Sequence, residues 1–431
     1  IHSVPLFYLP VPSLFNMTAS ALFFVTGCAL YALFSEPTPN DPGLPELLIA
    51  ACLFSAILLT NNLARFSPRI LSTNAPNFIK WGIIFVYSVF PLALTIGLLN
   101  GNTSSAIVRD LIGLTFWLSP VLFINPHFRK NARLLVTGCL VLVGLCFSAR
   151  FLISIYTVTG TLTIAPAHPE ILLELVNVPS VLFTALYLFG LGVVHLQYDA
   201  PSRSKGLLYL GLSALPITAG ICALQRANMG SVVLLGGALV LLQIWRRPGK
   251  SLWSIGALAI CIAMIWPLFW EVLALMIEKT RLVGFNMRFE EAEAILKHMY
   301  EINTMSLLTG LGFGAGFVSP AAGLVEINFT HNFFMTLCLK FGIIGLVLGT
   351  LYILSLVYPI AHQIIFSALP QKRIVLLSAI ILPVLVNLFL YANHKSFDFG
   401  LLLLLAVLTG AEPLNRSKHQ AKTVDRIEEQ Y

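Results

Sequence analysis

Residues 343–361 read IIGLVLGTLYILSLVYPIA, nineteen consecutive residues without a charged side chain. At a rise of about 1.5 Å per residue, a helix of this length nearly spans the ~30 Å hydrocarbon core of a bilayer. Similar runs recur along the 431-residue chain, which is 57% hydrophobic and only 10% charged. A soluble domain carries roughly 25% charged residues, and barrel strands alternate apolar and polar residues over about ten positions. The sequence therefore predicts an all-α polytopic membrane protein.

The apolar runs predict about twelve transmembrane helices, of which the fourth and the last are short. Nine of them belong to an N-terminal membrane region (1–272). A large polar loop (273–330) follows, then a C-terminal membrane region (331–412) with an interfacial helix and three spans, and a tail (413–431). The expected spans are 13–34, 45–64, 81–99, 111–125, 134–157, 178–197, 206–225, 230–245, 252–272, 343–361, 374–391 and 399–412.

Lysine and arginine cluster in every second connection, whereas the short connections between hold only Arg109, Arg226 and Lys395. By the positive-inside rule, the basic connections and both termini are cytoplasmic, and the large loop is periplasmic. This asymmetry accounts for most of the +7 net charge, so no nucleic-acid partner is expected. The basic residues are Arg65, Arg69, Lys80, Arg129, Lys130, Arg133, Arg203, Lys205, Arg246, Arg247, Lys250, Lys372, Arg373, Arg416, Lys418, Lys422 and Arg426.

The seven cysteines all lie in apolar segments and none has CxxC spacing, so they predict neither a disulfide framework nor a metal site. The first long apolar run lacks a basic leader and a small-residue cleavage site. A cleavable signal peptide is therefore not expected.

Within the large loop, residues 288–302 have the periodicity of an amphipathic helix. A glycine-rich stretch, Gly310-Leu-Gly-Phe-Gly-Ala-Gly316, follows and allows close backbone approach. It lacks the Lys-Ser/Thr pair of a phosphate loop, which disfavours a nucleotide site. The expected apolar face of the helix is Ala292, Ile295, Leu296, Met299 and Ile302, with Glu290, Glu291, Glu293, Lys297 and Glu301 elsewhere.

Several polar groups fall at one side of the predicted membrane. An ionisable group in hydrocarbon costs about 2.5–3.5 kcal/mol on insertion scales, so each is a candidate for function. Arg150 lies in the fifth span, Arg226 in the hairpin after the seventh, and Arg288 at the start of the loop helix. His331 and Asn332 lie where the loop re-enters the membrane.

Each of these residues also has an ordinary interpretation. Arg226 could snorkel to the interface, and Arg150 could pair with a buried carbonyl or acid. Arg288 could be a surface charge, and His331 an interfacial histidine with a satisfied ring. We interpret four further residues as interface residues, namely Lys340, His195, His362 and His394.

His331-Asn332, nine further residues and Gly342-Ile-Ile-Gly345 resemble the signature of bacterial O-antigen ligases (WaaL type). The resemblance extends to the position of this signature after one dominant outer loop. It implies a GT-C-like glycosyltransferase of the bacterial inner membrane. The reaction implied is ligation of undecaprenyl-pyrophosphate-linked O-antigen to lipid A–core in lipopolysaccharide biosynthesis.

The resemblance also implies roles for individual residues. His331 would act as general base, Asn332 would orient substrate, and Arg226 and Arg288 would bind the pyrophosphate. Arg150 is added to this set because it lies on the same side. Arginine is permanently charged and suits phosphate oxygens, so the reaction would need no metal or cofactor. A single displacement would invert the anomeric centre.

The two glycines of the signature predict a change in backbone direction. A continuous helix over 331–361 would exceed 45 Å at ~1.5 Å per residue, which is too long for a simple crossing. A break near Phe341-Gly342 would leave residues 331–341 at the outer interface. Alternatively, Gly342 and Gly345 provide a small-residue helix contact.

Three alternatives remain open. O-antigen polymerases and protein O-oligosaccharyltransferases belong to the same superfamily, and Arg226, ten residues and Gly237 match a polymerase-type spacing. No second copy of that spacing follows Arg281 or Arg288. Twelve spans also suit a transporter of lipid-linked glycans, although transporters usually show repeated halves and broken helices at mid-membrane.

Overall fold

A computed structural model describes most of the chain. The described residues are 14–37, 43–59, 67–73, 75–123, 129–162, 170–198, 203–246, 270, 273–275, 277–278, 287–367 and 369–410. Apart from Trp270, the span expected at 252–272 lies outside these residues, as does the tail 413–431.

The described chain is helical apart from its connections and one small antiparallel pair of strands, β1 (Phe317–Ser319) and β2 (Val325–Ile327). Short 3₁₀ turns lie at Pro68–Ser72, Pro320–Ala322 and Ala392–Lys395. The helices are α1 (Leu14–Phe34), α2 (Leu44–Leu59), α3 (Asn77–Leu99), α4 (Ser104–Trp117), α5 (Ser119–Phe123), α6 (Arg129–Thr159), α7 (Glu170–Asn177), α8 (Pro179–Tyr198), α9 (Arg203–Cys222), α10 (Arg226–Arg246), α11 (Arg288–Ile302), α12 (Ser306–Thr309), α13 (Phe333–Phe366), α14 (Gln371–Phe389) and α15 (Phe397–Gly410).

Seven helices of the described residues are long and apolar enough to cross a membrane: α3, α6, α8, α9, α10, α13 and α14. Three further apolar helices, α1, α2 and α15, have shorter described apolar stretches. The predicted class, an all-α polytopic membrane protein, is confirmed. The described residues contain fewer full-length spans than the twelve that the apolar runs predicted.

The fourth predicted span, 111–125, is not one helix. Helix α4 starts earlier, at Ser104, and ends at Trp117, and α5 begins at Ser119. Proline at position 120 has no backbone N–H and disfavours helical geometry in the preceding residue, which explains an interruption at this point. Helices α4 and α5 are therefore two separate helices where the sequence pattern predicted one continuous span.

Helix α15 forms the centre of the molecule. Every residue from Phe397 to Thr409 is buried in protein. Its fourteen residues extend about 21 Å, short of the hydrocarbon thickness, so other helices surround it on all sides. The buried Asp398 carboxylate accepts hydrogen bonds from Tyr31 Oη at 3.2 Å and from Ser180 N at 3.0 Å. These donors offset the cost of burying a charge-bearing group.

Helix α13 is broken at Gly342, as the length of the segment and its glycines predicted. Gly342 has φ 63° and ψ −161°, a backbone conformation that side chains with a Cβ rarely adopt. A Cβ there would also lie 2.4 Å from the carbonyl group of Leu308. A Cβ on Gly345 would lie 2.0 Å from Phe341 Cβ. Both glycines of the signature are therefore explained by the bend.

The glycine-rich stretch 310–316, hereafter the glycine loop, packs into this break. A helix break leaves carbonyls without their amide partners four residues later. Leu311 N donates to Leu339 O at 2.8 Å, and Gly312 N donates to Lys340 O at 3.0 Å. On its other side, Phe313 N donates to Ala93 O at 3.0 Å. The glycine loop thus provides hydrogen-bond donors for the free carbonyls of the broken helix and connects that helix to α3.

Lys340 lies just before the break, and its expected position at the interface is wrong. Lys340 is fully buried and pairs with the equally buried Asp110 of α4. Its Nζ also donates to Ala315 O, while Gly314 N donates to Asp110 Oδ2 at 2.6 Å. A buried ion pair is better tolerated when further hydrogen bonds reach its atoms, and the glycine loop supplies one to Lys340 Nζ and one to Asp110 Oδ2.

We expect Gly342→Ala to destabilise the protein. Left-handed backbone costs a side-chain-bearing residue about 1–2 kcal/mol, and the collision with Leu308 adds to it. Gly211→Ala in α9 is the control, because a Cβ there meets no atom within 4 Å and alanine favours helix. Thermal unfolding of the two purified variants measures the difference. A Gly342→Ala midpoint equal to that of Gly211→Ala would contradict the packing described here.

Candidate functional site

Helix α11 carries two charged residues of the candidate site, Arg288 and Glu291. The helix has the predicted bounds, and Ile295 and Met299 are fully buried as expected. The prediction that Glu291 lies away from the buried face is wrong, because only 1% of this residue is exposed. Residues four apart share one helix face, so Glu291 extends the buried stripe of Ile295 and Met299.

The Glu291 carboxylate holds His331 in place. His331 Nδ1 lies 3.1 Å from Glu291 Oε1, and His331 N donates to Glu291 Oε2 at 3.1 Å. Ser319 Oγ of β1 donates to Glu291 Oε1 at 2.8 Å. The His331 side chain remains 31% exposed, whereas that of Glu291 is 2% exposed. The imidazole is therefore anchored through one nitrogen and accessible elsewhere.

The protonation of this pair follows from its contacts. Burial alone would raise the pKa of Glu291, but the hydrogen bonds and charge of His331 and the Ser319 hydroxyl lower it below the usual range. An ionised carboxylate facing Nδ1 requires that Nδ1 carry a proton. In neutral His331 the lone pair is then on Nε2, which has no hydrogen bond to any described residue.

Arg288 lies one helical turn before Glu291. Its Nη2 donates to Leu390 O at 2.6 Å, and its buried Nε has no partner among the described residues. Burial lowers the pKa of Arg288, and the positive charge of Arg226 acts in the same direction. The negative charge of Glu291 opposes this shift. The two arginines thus lie close enough for their charges to interact.

Arg226 is brought there by a tight turn between α9 and α10. Leu224 adopts left-handed backbone with φ 49°, and Gln225 N donates to Gly220 O at 2.9 Å. Tyr391, in the connection from α14 to α15, donates its hydroxyl to Gln225 Oε1 at 2.6 Å. Burial raises the pKa of Tyr391 to about 12, against the effect of both arginines, so the phenol stays neutral. Three distant segments therefore meet at the arginines.

Both arginines are the first residues of their helices, since α10 begins at Arg226 and α11 at Arg288. Helix N-termini carry partial positive charge, so a cation there is disfavoured by about 0.3–1 kcal/mol, whereas an anion is favoured. Two guanidinium groups at two helix N-termini produce a concentrated positive potential. Such an arrangement is suited to a phosphate or pyrophosphate group.

Arg150 belongs to a different part of the molecule. Its Nη1 donates to Ala32 O at 3.0 Å and to Ser35 O at 2.8 Å, and its guanidinium carbon lies 5.4 Å from the centre of the Phe147 ring. The carbonyls belong to the C-terminal end of α1, where a cation is favoured by the helix dipole. The structure thus supports the interpretation that Arg150 pairs with buried carbonyls. The described contacts of Arg150 do not connect it to His331.

Asn332 caps helix α13. Its Oδ1 accepts hydrogen bonds from Phe334 N at 2.9 Å and from Met335 N at 3.4 Å. Asparagine is among the preferred N-cap residues, so this contact explains the residue by local structure. The cap fixes the start of α13 directly after His331 and so contributes to the position of the imidazole.

His394, expected at the interface, is instead fully buried. Its Nε2 lies 3.1 Å from Thr336 Oγ1 and its Nδ1 lies 3.4 Å from Tyr391 O. Burial lowers the pKa of His394 to about 3. A neutral ring with both nitrogens engaged cannot readily accept a proton, which leaves His331 as the candidate base.

Sequence reasoning missed Glu291 and Tyr391 as members of the site. A signal existed for Glu291, because residues three apart on a helix are neighbours and Arg288 was already a candidate. No comparable signal existed for Tyr391, whose role depends on contacts with Gln225, 166 positions away.

Among the described residues, no group of three or more His, Cys, Asp or Glu side chains is arranged to hold a metal ion. No protein-family model matches the sequence, and no curated protein gives a significant match.

We expect Glu291→Gln to lower stability at neutral pH. The folded protein holds the Glu291 carboxylate with a lowered pKa, so this stability is present above the usual value of 4.5 and is lost as pH falls below it. Hydrogen bonds to charged groups contribute about 1.5–3 kcal/mol, which sets the expected loss. Thermal midpoints of the variant and the unmodified protein should converge below pH 4.5. Glu290→Gln, which changes the exposed neighbouring residue, is the control. An equal loss of stability in Glu290→Gln would refute the assignment of a stabilising carboxylate to Glu291.

Proposed function

We propose that the protein is a membrane glycosyltransferase that transfers a glycan from a lipid pyrophosphate to an acceptor hydroxyl, in the manner of an O-antigen ligase. The observation that carries the proposal is that Arg288, which lies within electrostatic range of Arg226, is one helical turn from the Glu291 carboxylate that holds His331. It combines an accessible base with a strongly cationic site, the two functions that transfer from a pyrophosphate requires.

His331 supplies the base in this reaction. Its free Nε2 takes the proton of the acceptor hydroxyl as the hydroxyl oxygen bonds the anomeric carbon of the donor sugar. Glu291 holds the ring through Nδ1–H and compensates the positive charge that develops on the imidazolium. Glu291 touches His331 rather than substrate, so it is a positioning residue. A single displacement of this kind inverts the anomeric centre.

Arg226 and Arg288 supply the electrostatic stabilisation. As the bond between the anomeric carbon and the pyrophosphate oxygen breaks, its electron pair leaves with the lipid pyrophosphate. Two guanidinium groups and two helix N-termini neutralise that growing charge, and they are preorganised before substrate arrives. This device requires no metal ion.

The signature His331-Asn332, nine residues, Gly342-Ile-Ile-Gly345 favours a ligase among the related transferases. In this signature, His331 is the anchored base, Asn332 caps a helix and Gly342 breaks it. These roles are consistent with a site at one end of the bundle. The donor would be undecaprenyl-pyrophosphate O-antigen and the acceptor lipid A–core. The site would open to the periplasmic face of the inner membrane, in a GT-C-like fold with cytoplasmic termini.

The first test is transfer by purified protein with a lipid-pyrophosphate glycan and lipid A–core, run in chelator and read on a gel. His331→Ala should fold normally and lose transfer by about 100-fold or more, as general-base loss typically costs 10²–10⁴-fold. His298→Ala on α11 is the matched control and should retain activity. Near-normal transfer by His331→Ala would rule out the base assignment. Lengthened donor in place of ligated core would indicate a polymerase.

The second test concerns the arginines. Arg226→Ala and Arg288→Ala should each reduce transfer strongly, whereas Lys at the same positions should retain part of it, because lysine keeps the charge but loses the forked donor geometry. The exposed Arg203 at the start of α9 provides the control as Arg203→Ala. Equally mild effects of all three Ala variants would show that Arg226 and Arg288 are ordinary interfacial cations.

A further inference from the structure

A second cationic site lies in a cavity between α1, α2, α4 and the connection from α14 to α15. The cavity has a volume of about 190 Å³, room for roughly six water molecules at ~30 Å³ each. Its polar lining includes Arg109 of α4 and Lys395, together with Tyr31, Ser35 and Glu46. Leu47 and Ala50 of α2 and Ile112 of α4 line it with apolar groups.

Neither Arg109 nor Lys395 forms a direct ion pair with a carboxylate among the described residues. The Nε of Arg109 is buried and has no hydrogen-bond partner among the described residues. Lys395 Nζ lies 4.9 Å from the centre of the Phe329 ring and forms no ion pair within 4 Å in the described part of the chain. A buried donor without a partner costs free energy, which a bound anion would recover.

The charged residues described around the cavity do not provide a direct counterion for Arg109 or Lys395. Burial lowers the pKa of Lys395, the charge of Glu174 opposes the shift, and the positive charge of Arg109 adds to it. The nearby Lys340 and Asp110 neutralise each other as a buried pair.

The carboxylate of Glu46 also lines the cavity, at its edge. It is engaged by Ser35 Oγ and by Gly43 N, each at 2.8 Å. The donors of Arg109 and Lys395 thus remain available to a ligand.

The apolar lining continues to the outer surface of the helix bundle. Leu47 is 63% exposed, Ile112 is 42% exposed, and Ala50 is exposed beside them. In a bilayer, exposed apolar side chains of this kind contact acyl chains rather than water. The cavity is therefore accessible from the side, along a path that a hydrocarbon chain can follow.

We infer that this cavity binds a lipid with an anionic phosphate headgroup, its phosphate on Arg109 and Lys395 and its chain along Leu47, Ala50 and Ile112. Arginine suits phosphate oxygens through its forked donors, and lysine adds a compact charge. The apolar path distinguishes such a lipid from free phosphate. The inference goes beyond the proposed transferase function and does not depend on it.

The cavity lies beside the candidate active site but does not share its cations. Phe329, whose ring contacts Lys395, precedes His331 by two residues, and the Phe329 and His394 rings are 6.3 Å apart. Two lipid sources fit this chemistry: a bilayer phospholipid, or a polyprenyl phosphate. The experiment separates them by using each as a distinct probe.

Binding is measured by native mass spectrometry of the purified full-length chain with phosphatidylglycerol, undecaprenyl phosphate, diacylglycerol or inorganic phosphate. We expect the two phosphorylated lipids to bind at least tenfold more tightly than diacylglycerol or inorganic phosphate, and the tighter one identifies the source. Arg109→Gln with Lys395→Gln should lose this preference. Lys297→Gln, which removes an exposed cation on α11 away from the cavity lining, is the control and should keep it.

A second variant pair guards against misfolding of the double variant. Ala50→Phe should fill the apolar path and weaken lipid binding at least tenfold, whereas Ala51→Phe, exposed but not part of the cavity lining, should not. Unchanged lipid binding in the folded double variant would overturn the assignment of the headgroup. Equal lipid binding by Ala50→Phe and Ala51→Phe, or binding of inorganic phosphate as tight as that of lipid, would overturn the lipid assignment.

Discussion

The break in helix α13 at Gly342 is the constraint on which the rest of the described structure depends. It leaves the carbonyls of Leu339 and Lys340 without their helical partners, and the amides of the glycine loop satisfy them. In low-dielectric surroundings an unpaired backbone group costs several kcal/mol, so the break and the loop require each other. Because the loop also bonds to α3, the region before the break is fixed in direction. That region begins at His331 and thereby sets where the candidate base lies.

In the candidate site, the Glu291 carboxylate faces His331 rather than Arg288. Glu291 is directed at His331, while Arg288, one turn away, donates to the Leu390 carbonyl instead of forming a direct ion pair with that carboxylate. Arg226 and Arg288 repel each other and oppose the dipoles of their own helices. An anion placed there would gain from both guanidinium groups and from both helix N-termini.

The contrast between buried charges elsewhere supports this interpretation. Lys340 and Asp110 are both fully buried, pair directly, and receive further hydrogen bonds from the glycine loop, so they connect elements of the fold. Asp398 is likewise satisfied by neutral donors at the centre of the bundle. At Arg109 and Arg288, by comparison, no carboxylate of the described residues forms a direct ion pair with the guanidinium group.

The sequence by itself determined what depends on local composition and periodicity. Apolar runs determined the membrane class, amphipathic periodicity determined α11, and segment length with two glycines determined the break at Gly342. The partners of charged side chains were decided by the tertiary structure. Lys340 and His394 are buried although their neighbours in sequence suggested an interface, and Arg150 is held by carbonyls of α1. Glu291 meets His331 forty positions away, and Tyr391 meets Gln225 at the arginines. These contacts could not be predicted because helix periodicity specifies which face of one helix is apolar, not which distant residue will lie opposite it.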